Sequence, residues 1–401
     1  MSIIVSKFGG SSLAEAEDFI NVRRIIRADE RRRYIVVSAP GRRFEDDEKI
    51  TDALYRAAKN MVYPYAVEER FVNLTHQLGV TYPIKSSMEK FWSIYLKTKN
   101  TEYLVSRGEY LCAELLAAYL EFPMVDAARV IRLRANGQAD HDACYVRIRK
   151  ALSSRPYAVI PGFFGRYHQR ITVFSRGGSD VTGALVARAL HASLYENWTD
   201  VSGLFSADPR RVKGAIALPV MDYADVRQLA HYGATVLHED AISPVFEAGI
   251  PLHIRNTKIP EDPGTLIMNT TAVAYPAIAG KAGGRKDFVP TEELWAWLLE
   301  QKGIQIEQLF SREDGVLLLH FDKNEQGENL ALLTVTGIHS DQKVAQLANV
   351  KETLAKEKIP LLSMNAGEAG EPMIFGVPSA SWKPARGILH EIFIEEKEQH
   401  R

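Results

Sequence analysis

Short runs of β-branched residues alternate with amphipathic helical stretches from the start of the chain, and this alternation limits it to a small set of folds. Ile3 to Val5 and Tyr34 to Val37 read as strands. Leu13 to Ile26, with Ala16, Phe19, Val22 and Ile26 recurring on one face, reads as the helix between them. A βαβ unit of this kind predicts a mostly parallel sheet. Between about residues 51 and 120 the pattern turns largely helical, and Tyr157 to Ile160, Ile171 to Phe174 and Leu194 to Trp198 then resume as strands. The α/β character runs to about residue 268, where Pro260, Pro263 and Gly264 precede a short strand near Leu266. Tyr275-Pro276 opens a different pattern, which sets a domain boundary and makes residues 1–270 an open, mostly parallel sheet sandwiched by helices.

The last third reads as strand Leu330 to Thr336, helix Val344 to Glu357, strands Ile359 to Met364 and Met373 to Val377, helix Ala385 to Glu391 and strand Ile392 to Ile394. That βαββαβ order is a ferredoxin-like unit over residues 330–401. Ahead of it, Ala277 to Lys281, helix Thr291 to Gln301, Ile304 to Leu309 and Val316 to Phe321 make a truncated copy over residues 271–329, suggested by element order alone.

Composition narrows the function classes. A chain of 401 residues, 46% hydrophobic and 25% charged, can bury a sizeable core. Its 49 Lys and Arg against 50 Asp and Glu give a net charge of -1, so no basic field advertises nucleic acid or anionic lipid, and any anionic ligand must be held locally. Cys112 and Cys144 leave no room for a disulfide framework and suit a reducing, cytoplasmic location as buried filler. No signal-like start and no membrane-length apolar run is visible, and Glu395 to Arg401 reads as a frayed tail.

Two strand-glycine-helix junctions carry the chemistry. In the first, Lys7, Gly9, Gly10, Ser11 and Ser12 follow the opening strand, and Ser12 with Glu15 fits a capping box. A helix N-terminus behind bare glycines is an anion site, to which Lys7 adds a full positive charge. The order matches neither the P-loop nor the dinucleotide fingerprint, and an ordinary tight turn with a surface lysine stays open as the alternative. In the second, Ser175, Arg176, Gly177, Gly178, Ser179 and Asp180 lead into a helix with Val181, Ala184, Leu185 and Ala189 on one face. Arg176 can grip a carboxylate or phosphate with its fork, and Asp180 is placed to orient a cation such as Lys7; a capping aspartate beside a solvated arginine is the plainer reading.

Other candidates are weaker singly. Glu109 opens the packed stretch Tyr110 to Leu120, where dipole compensation is the usual role of a carboxylate. Trp198, Thr199 and Asp200 end a strand and enter a loop with a turn at Asp208-Pro209, in the position where open α/β sheets bind ligands. Phe205 covers a base or packs as a satellite core residue. His231 and His238 lack metal-ligand spacing and read as structural, and Arg31, Arg32 and Arg33 read as a solvated helix end.

Taken together, these blocks resemble the aspartate kinases of the amino-acid kinase family. The likeness rests on Val5-Ser6-Lys7-Phe8-Gly9-Gly10-Ser11-Ser12, Gly108-Glu109, Gly162-Phe163-Phe164-Gly165, Arg176-Gly177-Gly178-Ser179-Asp180, Trp198-Thr199-Asp200-Val201, Asp208-Pro209-Arg210, Gly233 through His238 and Gly249-Ile250-Pro251. It implies transfer of the ATP γ-phosphoryl group to the side-chain carboxylate of L-aspartate, the first step toward diaminopimelate, lysine, threonine and methionine. Lys7 with Gly9, Gly10 and Ser11 then corresponds to the phosphate cradle, and Asp180 orients Lys7. Arg176 corresponds to the clamp on a substrate carboxylate, Glu109 to the receiver of the ammonium and Thr51 to a substrate-binding threonine. Gly177, Gly178, Ser179, Thr199, Asp200, Phe205 and Arg210 fall where the family holds the nucleotide. No metal ligand is implied in the protein, since Mg2+ is carried mainly by ATP phosphates. Such chemistry needs no general base, because a carboxylate acceptor is already ionised near neutrality.

Some positions depart from the family pattern. Val173-Phe174-Ser175 precedes Arg176 where Thr-Leu-Gly is frequent, and Thr235 stands where many members carry a nucleotide-contacting lysine. Residues 38 to 48 form a longer loop before Thr51, which reads as a lid or a mobile surface loop. The C-terminal third resembles paired ACT domains, which implies an amino-acid effector and a homodimer. The first unit is short, Gly280 to Phe288 running almost directly into the helix at Thr291, so weak or altered feedback inhibition is expected. A kinase for another acid such as glutamate or acetylglutamate, and a catalytically weak regulatory paralogue, are the competing readings.

Overall fold

The computed structural model describes residues 2–210, 212–231, 239–270, 275–288, 305–312, 315–321, 330–338, 340–367 and 371–395. It divides into two compact units, Met1–Leu204 with Leu237–Asn269, and Phe205–Val236 with Thr270–Arg401.

The first unit begins β1 (Ile4–Phe8), α1 (Ala16–Arg27) and β2 (Arg32–Val37), the βαβ unit expected from the sequence. The helices α2 (Ile50–Asn60), α3 (Tyr65–Gln77), α4 (Ile84–Thr98), α5 (Thr101–Val105) and α6 (Arg107–Leu120) follow. Next come α7 (Ala127–Val130), α8 (His141–Leu152), β3 (Ala158–Pro161) and the hairpin β4 (Phe164–Tyr167) and β5 (Arg170–Val173). Then α9 (Gly178–Ala189) and β6 (Leu194–Thr199) lead on, and the unit is completed by helix Glu239–Glu247 and strands Leu252–Asn256 and Thr265–Met268.

Within this unit the strands run in the order β3, β2, β1, β6, Leu252–Asn256, Thr265–Met268, and every pair is parallel except the last. A central strand flanked by parallel neighbours is covered on both faces, which is why all five residues of β1 are buried. Phe8, Ile35 and Val37 pack into one cluster with Phe19, Val22 and Ile25 of α1 and Leu111 and Leu115 of α6. Fully burying each such side chain contributes about 1.5–3 kcal/mol, so this layer alone outweighs the modest helical propensity of α1. α1 also carries Glu17 and Asp18 in its first turn and Arg24 and Arg27 in its last, complementing its dipole at both ends.

Two local expectations change here. The capping box at α1 is one turn later than Ser12 predicts: Asp18 Oδ2 accepts from the backbone N–H of Glu15 at 2.9 Å. Ser12 instead ends a 3-10 turn, Gly10–Ser12, and its hydroxyl meets Thr257 Oγ1 at 2.5 Å, a distant partner that pulls it out of a local cap. Arg32 is not a solvated helix end. It is buried, and its Nε and Nη2 donate to Glu196 Oε2 and Oε1 at 2.8 and 2.9 Å.

The second unit is built on an antiparallel sheet in the order Gln305–Arg312, Gly315–Phe321, Ala277–Phe288, Leu330–Thr336, Met373–Pro378, Ser363–Asn365. Helices Ser340–Lys356 and Trp382–His390 supply Val350, Leu354 and Leu389 to a core with Leu333, Val335 and Phe375. Ile392 to Ile394 is not a strand: Glu391–Glu395 continues the last helix as a π-helical turn whose apolar side chains are buried. A three-residue apolar run has no period of its own, so packing decides its conformation. On that side of Leu330–Thr336 the neighbouring strand is instead Ala277 to Gly283. The strand expected over Ile359 to Met364 shortens to Ser363–Asn365. The expected helix Thr291 to Gln301, the Gly233 to His238 block with Thr235, and the tail beyond Glu395 lie outside the described residues.

Candidate active site

In a parallel sheet the carboxyl ends of the strands share one edge, and there the two glycine junctions meet. Register does the first part of the work: Lys7 on β1 stands directly opposite Asn197 on β6. Lys7 Nζ lies 3.2 Å from Asn197 Oδ1 and 2.5 Å from Asp180 Oδ1. Asn197 Nδ2 donates to that same Asp180 oxygen at 3.1 Å, closing a triangle. Lys7 is only 7% exposed, so its ammonium is a preorganised charge with one fixed direction rather than a surface lysine.

Asp180 reaches this place because α9 starts abruptly. Gly177 adopts φ +56°, the left-handed conformation that favours glycine, and the helix runs on from Gly178. The helix start is pressed against the preceding turn, since a Cβ on Gly162 would lie 2.6 Å from Ser179 Oγ and one on Gly178 2.8 Å from Phe163 Cα. Ser179 is buried beneath it. Arg176, just ahead of Gly177, is exposed and has no ion-pair partner among the described residues.

The first glycine turn is equally constrained. A Cβ on Gly9 would stand 3.6 Å from Lys7 Nζ, in the space beside the ammonium. One on Gly10 would lie 2.8 Å from the Ala39 carbonyl oxygen, and the Gly41 N–H donates to Gly10 O at 2.8 Å. The loop after β2 therefore crosses directly over this turn, where no side chain fits. Ser11 is half-buried in the 3-10 turn.

Glu109 lies in the first turn of α6 and is 4% exposed. Burial pushes its carboxyl up to about 8, against the opposing pull of the Glu109 and Ala39 backbone N–H groups and the Arg107 charge. Its Oε2 has no hydrogen-bond partner. Burial with one oxygen unpaired disfavours the charged form of this carboxyl, and a cation placed beside it would favour ionisation. Its hydrogen bond from the Ala39 N–H sets its carboxyl against the same loop that crosses Gly10. Thr51 is half-buried in the first turn of α2, next to Ile50, which a Cβ on Gly108 would strike at 2.9 Å; the starts of α2 and α6 therefore adjoin.

At the end of β6, Thr199 Oγ1 donates to Asp200 Oδ1 at 3.2 Å, and the Thr257 N–H donates to Thr199 O at 2.8 Å. Thr257, 2% exposed, thus ties the end of β6 to Ser12 of the glycine turn. Phe205 and Arg210 belong to the second unit; Phe205 is half-buried, and Arg210 folds back on Asp208 with Nε 3.2 Å from Oδ1.

Sequence reasoning missed Asn197, Thr257 and the Ala39 N–H. The available signal for Asn197 was Glu196-Asn197, two polar residues inside an otherwise buried strand. They split between faces. Glu196 points away from Lys7 and accepts from Ser6, Arg32 and Trp198 at 2.8 to 2.9 Å. Burial alone would raise its carboxyl, but these hydrogen bonds and the Arg32 charge hold it below the usual range.

The amino acid kinase family matches residues 2–256. Aspartokinase 3 of Bacillus subtilis is 28% identical over 97% of this chain and 98% of its own length. The lysine-sensitive aspartokinase 3 of Escherichia coli is 30% identical over 67% of this chain and 65% of its own. The crystal structure of Clostridium acetobutylicum aspartate kinase, 33% identical, superposes on 98% of this chain and 100% of its own with a TM-score of 0.86. Matched over more than half its length by one family and end to end by one of that family's solved members, the chain belongs to the amino acid kinase family, and within it to the aspartate kinases.

Proposed function

We propose that this chain transfers the γ-phosphoryl group of ATP to the side-chain carboxylate of L-aspartate, giving 4-phospho-L-aspartate and ADP as the first step toward diaminopimelate, lysine, threonine and methionine. The observation that supports this most is the closed triangle of Lys7, Asn197 and Asp180 beside the bare Gly9, with Arg176 at the start of the helix that carries Asp180. A fixed ammonium at the carboxyl edge of the sheet meets the charge that develops on the transferred phosphoryl group, and it needs no reorganisation as the reaction proceeds.

The roles follow from position. Lys7, with the Gly9, Gly10 and Ser11 turn, stabilises the phosphoryl group in transfer, and Asp180 and Asn197 aim its ammonium. Arg176 takes the α-carboxylate of the substrate with its fork, Glu109 receives the ammonium, and Thr51 orients the substrate from the adjoining helix. An oxygen of the substrate's side-chain carboxylate attacks the γ-phosphorus while the bond to the ADP oxygen breaks. No proton leaves the acceptor, so no general base is required. Binding of the ammonium favours ionised Glu109, which releases its proton to solvent before the chemical step.

Gly177, Gly178, Ser179, Thr199, Asp200, Phe205 and Arg210 are assigned to the nucleotide. Magnesium carried on the ATP phosphates neutralises their charge when bound. The residues present fit an ion brought in this way, since the acid beside Lys7, Asp180, is already committed to Lys7 and Asn197. Residues 1–270 are the catalytic domain in this reading, with ACT-like units over 271–329 and 330–401 that carry an amino-acid effector and the homodimer contact.

Trapping the acyl phosphate as a hydroxamate in the presence of ATP and L-aspartate tests the reading. Product with aspartate is expected; product only with glutamate or acetylglutamate would replace it. Titrating lysine and threonine into the same assay tests the regulatory half, with weak or altered inhibition expected.

A further inference from the structure

A second concentration of positive charge lies in the first unit, in a cleft of 460 Å³ lined by Arg132, Arg147, Arg166, His168 and Gln169. Three separate elements deliver the guanidinium groups: the segment after α7 carries Arg132, the solvent face of α8 carries Arg147, and β4 carries Arg166. The backbone fixes two of them side by side, because Arg132 and Arg166 form a parallel bridge held by Arg166 N to Ile131 O at 3.1 Å and Leu133 N to Arg166 O at 3.0 Å.

No carboxylate among the described residues pairs with any of the three. Arg132 Nη1 spends its hydrogen bonds on the Ala128 and Ile131 carbonyls at 2.8 and 3.1 Å. Arg166 Nε is buried with no hydrogen-bond partner. The nearby Asp140 is occupied as the cap of α8, accepting from the Ala143 N–H at 3.3 Å. Burial, and then the charges of Arg147 and Arg166, disfavour the charged form of Arg132. Like charges gathered without a counter-ion raise the energy of the empty cleft, and an anion placed among them relieves it.

We propose that this cleft binds a compact phosphoryl anion, free or carried on a small metabolite, at a position separate from the catalytic edge of the sheet. Guanidinium groups supplied by three separate elements suit a tetrahedral group with several oxygens, whereas a planar carboxylate occupies one fork. His168 and Gln169, at the exposed tip of the β4–β5 hairpin, also line the cleft.

Calorimetric titration of the whole chain with inorganic pyrophosphate at physiological salt tests this. The Lys7→Ala background removes the main phosphate contact of the catalytic turn, so that binding read there reports on the cleft. Saturable binding is expected in that background, weakened about tenfold or more by adding Arg147→Gln, whose parent side chain is exposed. Arg166→Gln in the same background should weaken it similarly. Loss of binding with Lys7→Ala alone, or affinity indifferent to both arginine substitutions, overturns the proposal.

Discussion

Lys7 and Asn197 face each other across β1 and β6, and their side chains, 3.2 Å apart, converge on a single oxygen of Asp180. A lysine with four rotatable bonds is thereby reduced to one direction. In the role proposed for Lys7, catalysis by positioning depends on that restriction, because an ammonium free to sample solvent would reach a phosphoryl group only part of the time. Removing Lys7 outright should be costlier than loosening it: Lys7→Ala is expected to lower kcat by about 10³-fold in an ADP-release assay, the loss typical of one preorganised donor. Full turnover in that variant would take Lys7 out of the chemistry.

Asn197→Leu keeps the charge and removes its guide. The expected outcome is a fall in kcat of about tenfold with the KM for L-aspartate little changed, since the side-chain bonds of Asn197 go to Lys7 and Asp180 and its proposed part is to aim the ammonium. A rise in KM alone would show that Asn197 belongs to substrate binding instead.

Glu109 gives the protein a pH signature. Burial pushes its carboxyl up to about 8 in the folded chain, against 4.5 ordinarily. Because the folded value is the higher, the unfolded chain ionises first. The stability contributed by neutral Glu109 is therefore complete below about 4.5 and is lost as pH rises to about 8, where both states are ionised. Glu109→Gln does not titrate, so its stability relative to the parent should improve by about 3–5 kcal/mol between those limits. Urea unfolding at both ends of the range checks this. With Glu109 in its proposed role as receiver of the substrate ammonium, the KM for aspartate in the parent enzyme should fall over the same window.

Gly162→Ala tests whether the start of α9 must sit where it does. The added methyl would lie 2.6 Å from Ser179 Oγ and 2.7 Å from Ser179 Cα, and the backbone contact cannot be relieved by rotating a side chain. A loss of about 1–3 kcal/mol in stability is expected, together with a lower kcat as Asp180 shifts from Lys7. Unaltered kcat would mean that the helix start tolerates displacement.

The other face of β1 is structural. Arg32→Ala leaves Glu196 buried, 1% exposed, without its principal counter-charge, which should cost about 3–5 kcal/mol by chemical denaturation. The double change Arg32→Met with Glu196→Leu should recover most of it, because the pair exists at the expense of its own desolvation.

What the sequence disclosed and what it withheld divide along physical lines. The opening βαβ unit was legible because period-2 and period-3.6 patterns are local, and the two glycine junctions because glycine and charge at a strand end have few other uses. Asp180 could be assigned to Lys7 from its place at a helix start. Asn197 could not, since its role depends on the register of two strands separated by the whole intervening chain. Arg32 was misread for a related reason: three arginines in a row look solvated until a buried Glu196 is found across the sheet. Ser12 fitted a local cap, but a distant threonine competed for its hydroxyl and won. Ile392 to Ile394 was ambiguous in principle, being too short for either period to register.

Alternation along β1 carries a consequence for how this strand can vary. Ser6 reaches Glu196 on one side and Lys7 reaches Asp180 on the other, so adjacent positions hold unrelated duties. Deleting a single residue upstream of Lys7 would carry the ammonium to the face that Ser6 now holds, toward Glu196 and away from Asp180. Substitutions here can be graded, but a frame slip would be lost in one step, and the length of this strand is therefore as fixed as the identity of its lysine.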